Sequence, residues 1–464
     1  MTKKSAQNYG LFSSFHKYGA RYFLAIVSVV LFFLIADISI TGVSNILGNE
    51  QLASAWGIAS FLAIAIVFAV GQYLILDFVK AKNKELNVGA ARVSLVGKVV
   101  TIVQYVITAI IGIVAFQVVV TSQYYTVLVI PSVSLSYGLA GAITLLLSIW
   151  FFSWYRSSKD IVTLLYGLSS VTVSISSIIM LVFFDIVLFS KSSITNSQSE
   201  VIFPFFEPTS TLGITQYSFF LLNILTFLLL WGSTALLLRH YSRRVGRIRL
   251  WTILAIPLVI WLGSFYLTPL VFQSVSPDAN LTYITIFAFV LPAVAVGILF
   301  GVPFWIVSRR INHPGIRNHM IITACGFVLF FVSGTSNIGH TPYPAFGLVG
   351  VSFLGLSTYL ILTGLYSSVI AISEDSKLRR SIRQSVREES KLLGSLGTAQ
   401  MQNEIKRKVT EAARGQSDII QSKTGLPPPL TEDEMTDYIE SVLREISSVK
   451  DVDTRRKETK RDQG

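Results

Sequence analysis

The chain has 464 residues, of which 52% are apolar and 14% charged, with a mean hydropathy of +0.60. A water-soluble chain carries nearer a quarter charged residues, so a set of ordinary globular domains is excluded. The formal charge of +12 does not mark a nucleic-acid binder: residues 374–464 nearly balance, with 18 basic and 17 acidic side chains, and the excess sits in short connections between apolar runs, where positive charge orients membrane helices.

After a basic segment at 1–21, ten apolar runs follow, near 22–41, 55–77, 97–120, 125–153, 161–187, 217–238, 250–272, 281–307, 320–337 and 347–372. At about 1.5 Å per residue, helices of these lengths cross a hydrocarbon layer of about 30 Å. The first run is long, carries Asp37 and lacks a clean small-residue cleavage site, so it reads as a retained span. The amino-terminal segment and one set of connections together hold nineteen basic residues, Arg156, Arg243 and Arg309 among them. The opposite connections hold Lys191 alone. The split predicts an all-α polytopic bundle of about ten spans over 22–373, set in the cell membrane, with both termini in the cytoplasm.

Catalytic signatures are missing from these runs. The sequence has no HExxH zinc motif, no phosphate-cradling GxxxxGK[ST] loop and no GxSxG nucleophile turn. Cys325 is the lone cysteine, so no intrachain disulfide forms. His16, His240, His313 and His319 fall in predicted cytosolic segments and His340 in the last external loop, whereas a bis-His haem needs imidazoles inside the helices. No catalytic residue, metal site or cofactor is expected, and the chain does not read as an enzyme.

Ionisable side chains inside hydrocarbon are costly and rare. Asp37 lies in the outer part of the first span and Asp185 near the outer end of the fifth. At helical spacing Tyr166, Ser170, Ser174, Ser177 and Asp185 share one face of that fifth span. Such a stripe lines either a hydrated solute path or a helix–helix contact in which serines bond their own backbone. In the eighth span Ala293, Gly297 and Gly301 recur every four residues, which lets another helix approach closely. Two external segments, 190–216 with its VIFPFF run and 334–347 with His340, read as a membrane-surface connection and a rigid uncharged turn.

Composition changes sharply at Ser373. Residues 374–424 form a basic juxtamembrane helical segment. Its first part presents Lys377, Arg379, Arg380, Arg383, Arg387 and Lys391 to anionic lipid headgroups, and Gly394 and Gly397 weaken its second part. A Pro-rich spacer, GLPPPL, opens 425–449 and stiffens the chain. Thr431 and Glu434 then make a capping box for an acidic helix. Met435, Ile439, Val442, Ile446 and Val449 recur at steps of four and three, a coiled-coil seam for a cytosolic protein partner. Residues 450–464 are charged and read as disordered. Three functions fit: a sensor or signal relay working through its tail, a secondary transporter using the Asp37 and Asp185 region, and a membrane scaffold.

Overall fold

Among the described residues each of the ten apolar runs lies on a helix, because a chain in hydrocarbon must satisfy each N–H and C=O within its own segment. The structure, a computed structural model, describes residues 19–85, 91–189, 193–195, 210–239, 246–273, 279–311, 313–335, 342–374, 391–424 and 441. The helices are α1 (Ala20–Leu52), α2 (Ala55–Glu85), α3 (Ala91–Thr121), α4 (Thr126–Ser158), α5 (Ile161–Phe189) and α6 (Thr211–Leu238). They continue as α7 (Arg247–Gln273), α8 (Ala279–Arg310), α9 (Pro314–Gly334), α10 (Leu348–Glu374) and α11 (Lys391–Thr424). Among the described residues nine, α1 to α6 and α8 to α10, contain a stretch long and apolar enough to cross a membrane. In α7 the stretch Ile248–Ser264 is shorter. Large apolar side chains such as Phe32, Ile66, Phe116, Ile149 and Leu221 point outward. The chain is a multi-pass helical membrane protein whose outer surface meets lipid.

For two of the helices that begin earlier than hydropathy predicts, a local cause is visible. Ser210 caps α6, its hydroxyl accepting the Gly213 N–H at 3.0 Å. Pro314 opens α9, where its fixed φ suits the first helical turn. The polar stretch 314–319 is therefore helix, and it carries His319 into the bundle. One element has no counterpart in the predicted all-α pattern. β1 (Gln123–Tyr125) and β2 (Ser193–Thr195) pair antiparallel, with Tyr124 opposite Ile194. Three-residue strands are too short for alternation to show in sequence.

α10 is the axis of the molecule: its membrane stretch is entirely buried, with α4 and α9 as its main flanks. The bundle end holding β1, β2 and residues 342–347 is called the strand end here, and the end holding α11 the tail end. Small residues set the closest approaches. A Cβ on Gly297 would lie 3.0 Å from Val328 Cα, and one on Gly301 would lie 2.8 Å from Ala324 O, so the stripe on α8 is where α9 crosses it. α11 packs back on α10 and α4 through buried Leu392, Leu393, Leu396 and Ala399.

Candidate functional site

Asp37 is wholly buried in α1, yet it has no part in the α5 stripe. Its Oδ1 accepts the Gly347 N–H at 2.9 Å and its Oδ2 accepts the Gly350 N–H at 2.9 Å. Those amides belong to the N-cap position and first turn of α10, whose N–H groups have no intrahelical acceptor and carry the positive end of the helix dipole. The carboxylate therefore caps the central helix from another span. The segment before α10 is held as firmly. The Tyr343 hydroxyl donates to Val118 O at 2.8 Å, the Tyr124 hydroxyl donates to Pro342 O at 3.0 Å, and the two rings stack. Burial pushes the Tyr124 phenol well above its ordinary pKa, so it stays a donor at neutral pH. The described part of the predicted turn, 342–347, is thus a buried plug at the strand end.

The α5 stripe divides. Tyr166, Ser170, Ser174 and Ser177 are buried together, and the Ser174 hydroxyl donates across to Gly141 O of α4 at 2.9 Å. Ser170 and Ser177 donate to Tyr166 O and Val173 O on their own helix. Asp185 is only half-buried and leaves this group, its Oδ1 accepting the Ser134 hydroxyl at 2.9 Å. Two cavities line the same side of α5. One, toward the tail end, is small, about 40 Å³, and lies against Thr144, Phe151, Tyr166, Ser170, Thr358 and Leu365. The other, toward the strand end, has about 110 Å³ and is partly open, against Tyr137, Ser177, Asn223, Thr226, Trp261 and Thr335. Val173 and Phe330 border both.

The tail-end cavity connects to α11 through aromatic rings. Phe151 stacks on Tyr166 at 5.7 Å between centroids and meets Trp154 edge-on at 5.4 Å. The Trp154 indole N–H donates to Gln400 Oε1 of α11 at 2.9 Å. Asn403 exchanges hydrogen bonds with Ser157 at 2.8 Å and Ser153 at 3.0 Å, and the Ser395 hydroxyl donates to Asp160 Oδ2 at 3.2 Å. Gly394 and Gly397 do not interrupt α11. A Cβ on Gly397 would lie 2.5 Å from Ile372 Cγ2, so the missing side chain is what seats α11 on α10.

Sequence reasoning missed several polar groups. His319 was expected on a solvated membrane flank, but it is fully buried in α9, its Nδ1 2.9 Å from Gly315 O and its Nε2 3.0 Å from Asn83 Oδ1. The cause is the early start of α9 at Pro314. Gln72 and Gln104 form a buried cluster in which the Gln72 amide donates to Thr108 and Gln104, and Gln104 donates to Ser352 O at 3.3 Å. Asn223 and Thr226 also went unnoticed, and Thr226 donates to Thr172 between α6 and α5 at 2.8 Å. Uncharged amides inside apolar runs were the available clue, since attention to ionisable groups alone passes over them. Among the described residues no His, Cys, Asp and Glu cluster has the makings of a metal site. Lys377, Arg379, Arg380, Arg383 and Arg387, like Met435, Ile439, Val442, Ile446 and Val449, lie outside the described residues, as does the Lys391 side chain. So does the VIFPFF run.

Compared with known protein families, curated proteins and solved structures, the chain matches none.

Proposed function

We propose that this chain is a sensor or signal-relay protein of the cell membrane, with ten spans and both termini in the cytoplasm. In this reading the bundle responds to a molecule within it, and α11 passes the response to a cytosolic partner of the 431–449 seam. The observation that supports it is the Trp154–Gln400 hydrogen bond, which joins α11 to the ring cluster bordering the tail-end cavity. The basic run from Lys377 would hold the tail near anionic headgroups. No catalytic step belongs to this function.

Hydrogen exchange on the full-length protein in nanodiscs tests it. Ser170→Phe, which fills the tail-end cavity, should speed exchange of the 391–403 amides by about fivefold or more, equivalent to losing one hydrogen bond of docking. In a Trp154→Phe background the same substitution should add little. Unchanged exchange in the Ser170→Phe protein would refute the relay. A second reading, a secondary transporter, draws on the cavities meeting at Val173 and Phe330. It predicts solute flux in proteoliposomes that Ser170→Phe blocks.

A further inference from the structure

α11 carries two apolar faces, and the bundle covers only the first. Leu392, Leu396 and Ala399 are buried, whereas Ile405 and Val409 are 40% and 43% exposed. Ile405 follows Leu396 by nine residues on one unbroken helix. Nine residues make about two and a half turns, so the two side chains face opposite ways. The second stripe therefore points away from the bundle, and extending the first contact would not cover it.

We infer that this stripe is the docking site of the chain's own segment 431–449, which folds back on α11 as an antiparallel helical hairpin. Apart from helical Ser441, the segment lies outside the described residues. Ile405, Val409, Ala412 and Gln416 follow one another at steps of four, three and four. Read backwards, Ile446, Val442, Ile439 and Met435 repeat the same steps. Antiparallel packing sets each residue opposite its counterpart, Ile405 with Ile446 and Val409 with Val442, and interdigitates them as a coiled-coil seam. In the same register Lys408 and Glu445 flank that seam on one edge. Charge selects this occupant over a second copy of α11. Residues 404–424 carry five basic and three acidic side chains, and 431–449 carry one basic and six acidic, so the two stretches attract. Two copies of α11 would bring like charge together.

The connection suits the fold-back. α11 ends at Thr424, and the capping box opens at Thr431, so six residues join the helices. Six residues reach about 20 Å, more than the roughly 8–10 Å between packed helix axes, and such a length is ordinary for antiparallel neighbours. So short a tether holds the seam at an effective concentration in the millimolar range, and a separate protein reaches it only by displacing α11. The hairpin goes beyond the proposed relay, because it stands whether or not the bundle carries a signal. Within the relay it makes α11 the resting partner of the seam and the cytosolic partner a competitor.

The test uses the purified full-length protein in nanodiscs with no partner added. In a Cys325→Ser background, oxidation should join Val409→Cys to Val442→Cys within one chain. It should do so about tenfold faster than it joins Val409→Cys to Met435→Cys, which stands seven residues out of register. Ile405→Asp with Val409→Asp should speed amide exchange over 434–446 about tenfold and leave 391–403 unchanged, since the docked half of α11 is untouched. The relay is read from Ser170→Phe at 391–403, so its failure leaves these readouts standing. Disulfides formed between chains, equal rates for the two cysteine pairs, or unaltered 434–446 exchange in the double aspartate protein would overturn the hairpin. Faster exchange confined to 404–416 would assign the stripe to the lipid surface and overturn it as well.

Discussion

A carboxylate enclosed by apolar helices is costly unless its oxygens are engaged, and both Asp37 oxygens receive backbone N–H groups of α10. This accounts for the burial without a solute path. Asparagine can accept only one of the two bonds and would turn an N–H toward the other donor. Asp37→Asn should therefore lower stability by about 1.5–3 kcal/mol, the range for a hydrogen bond to a charged group. Asp185→Asn keeps an acceptor for Ser134 on a half-buried side chain and should cost under about 0.5 kcal/mol. Thermal unfolding in nanodiscs compares the two, and equal shifts would contradict the capping role. Both carboxylates are conspicuous in the sequence. Their partners are not, because Gly347 and Gly350 lie about three hundred residues from Asp37.

Among the elements, α11 departs furthest from its sequence. Propensity treats Gly394 and Gly397 alike, each weakening a helix by about 1 kcal/mol relative to alanine. Packing separates them. A Cβ on Gly394 meets nothing within 4 Å, whereas one on Gly397 runs into Ile372. Gly394→Ala should consequently slow exchange across 391–403, and Gly397→Ala should speed it. If both substitutions slow exchange, α11 is a free helix and not a docked one. The α8–α9 crossing allows a parallel test. Gly301→Val would drive side-chain atoms toward Ala324 O and should cost about 1–3 kcal/mol in thermal stability, as overpacking does. Here the sequence carried the clue, since Ala293, Gly297 and Gly301 recur at helical spacing, but it could not name α9 as the helix received.

At the scale of the whole molecule, the proposed orientation makes a labelling prediction. In a Cys325→Ser background, Ser276→Cys should react with an impermeant thiol reagent from outside, and Val245→Cys only from inside. Labelling of both from one side would break the alternation on which ten spans depend. The tail makes a second prediction. Replacing Ile439 and Ile446 by Asp places charges in the predicted apolar seam and should abolish exchange protection over 431–449 in the presence of a cytosolic partner. Rapid exchange there in the unsubstituted protein, with and without candidate partners, would show that the seam is unused.

Backbone hydrogen bonding in hydrocarbon is a local demand, met within one helix, so about twenty consecutive apolar residues suffice to mark a span. This is why the helices α1 to α10 could be read from the sequence, although their ends could not: α1 runs on to Leu52, and α6 and α9 start early at Ser210 and Pro314. Neighbour choice is not local. Apart from the serine stripe of α5, lipid-facing and core-facing sides of these helices differ little in polarity, which weakens the amphipathic pattern that reveals the inner face of a soluble helix. Only the tertiary structure could bring Asp37 to the start of α10, Gln104 to Ser352 and Trp154 to Gln400, and bury His319 against Asn83. Those contacts join residues hundreds of positions apart, and the geometry of packing, which hydropathy does not encode, determined each of them.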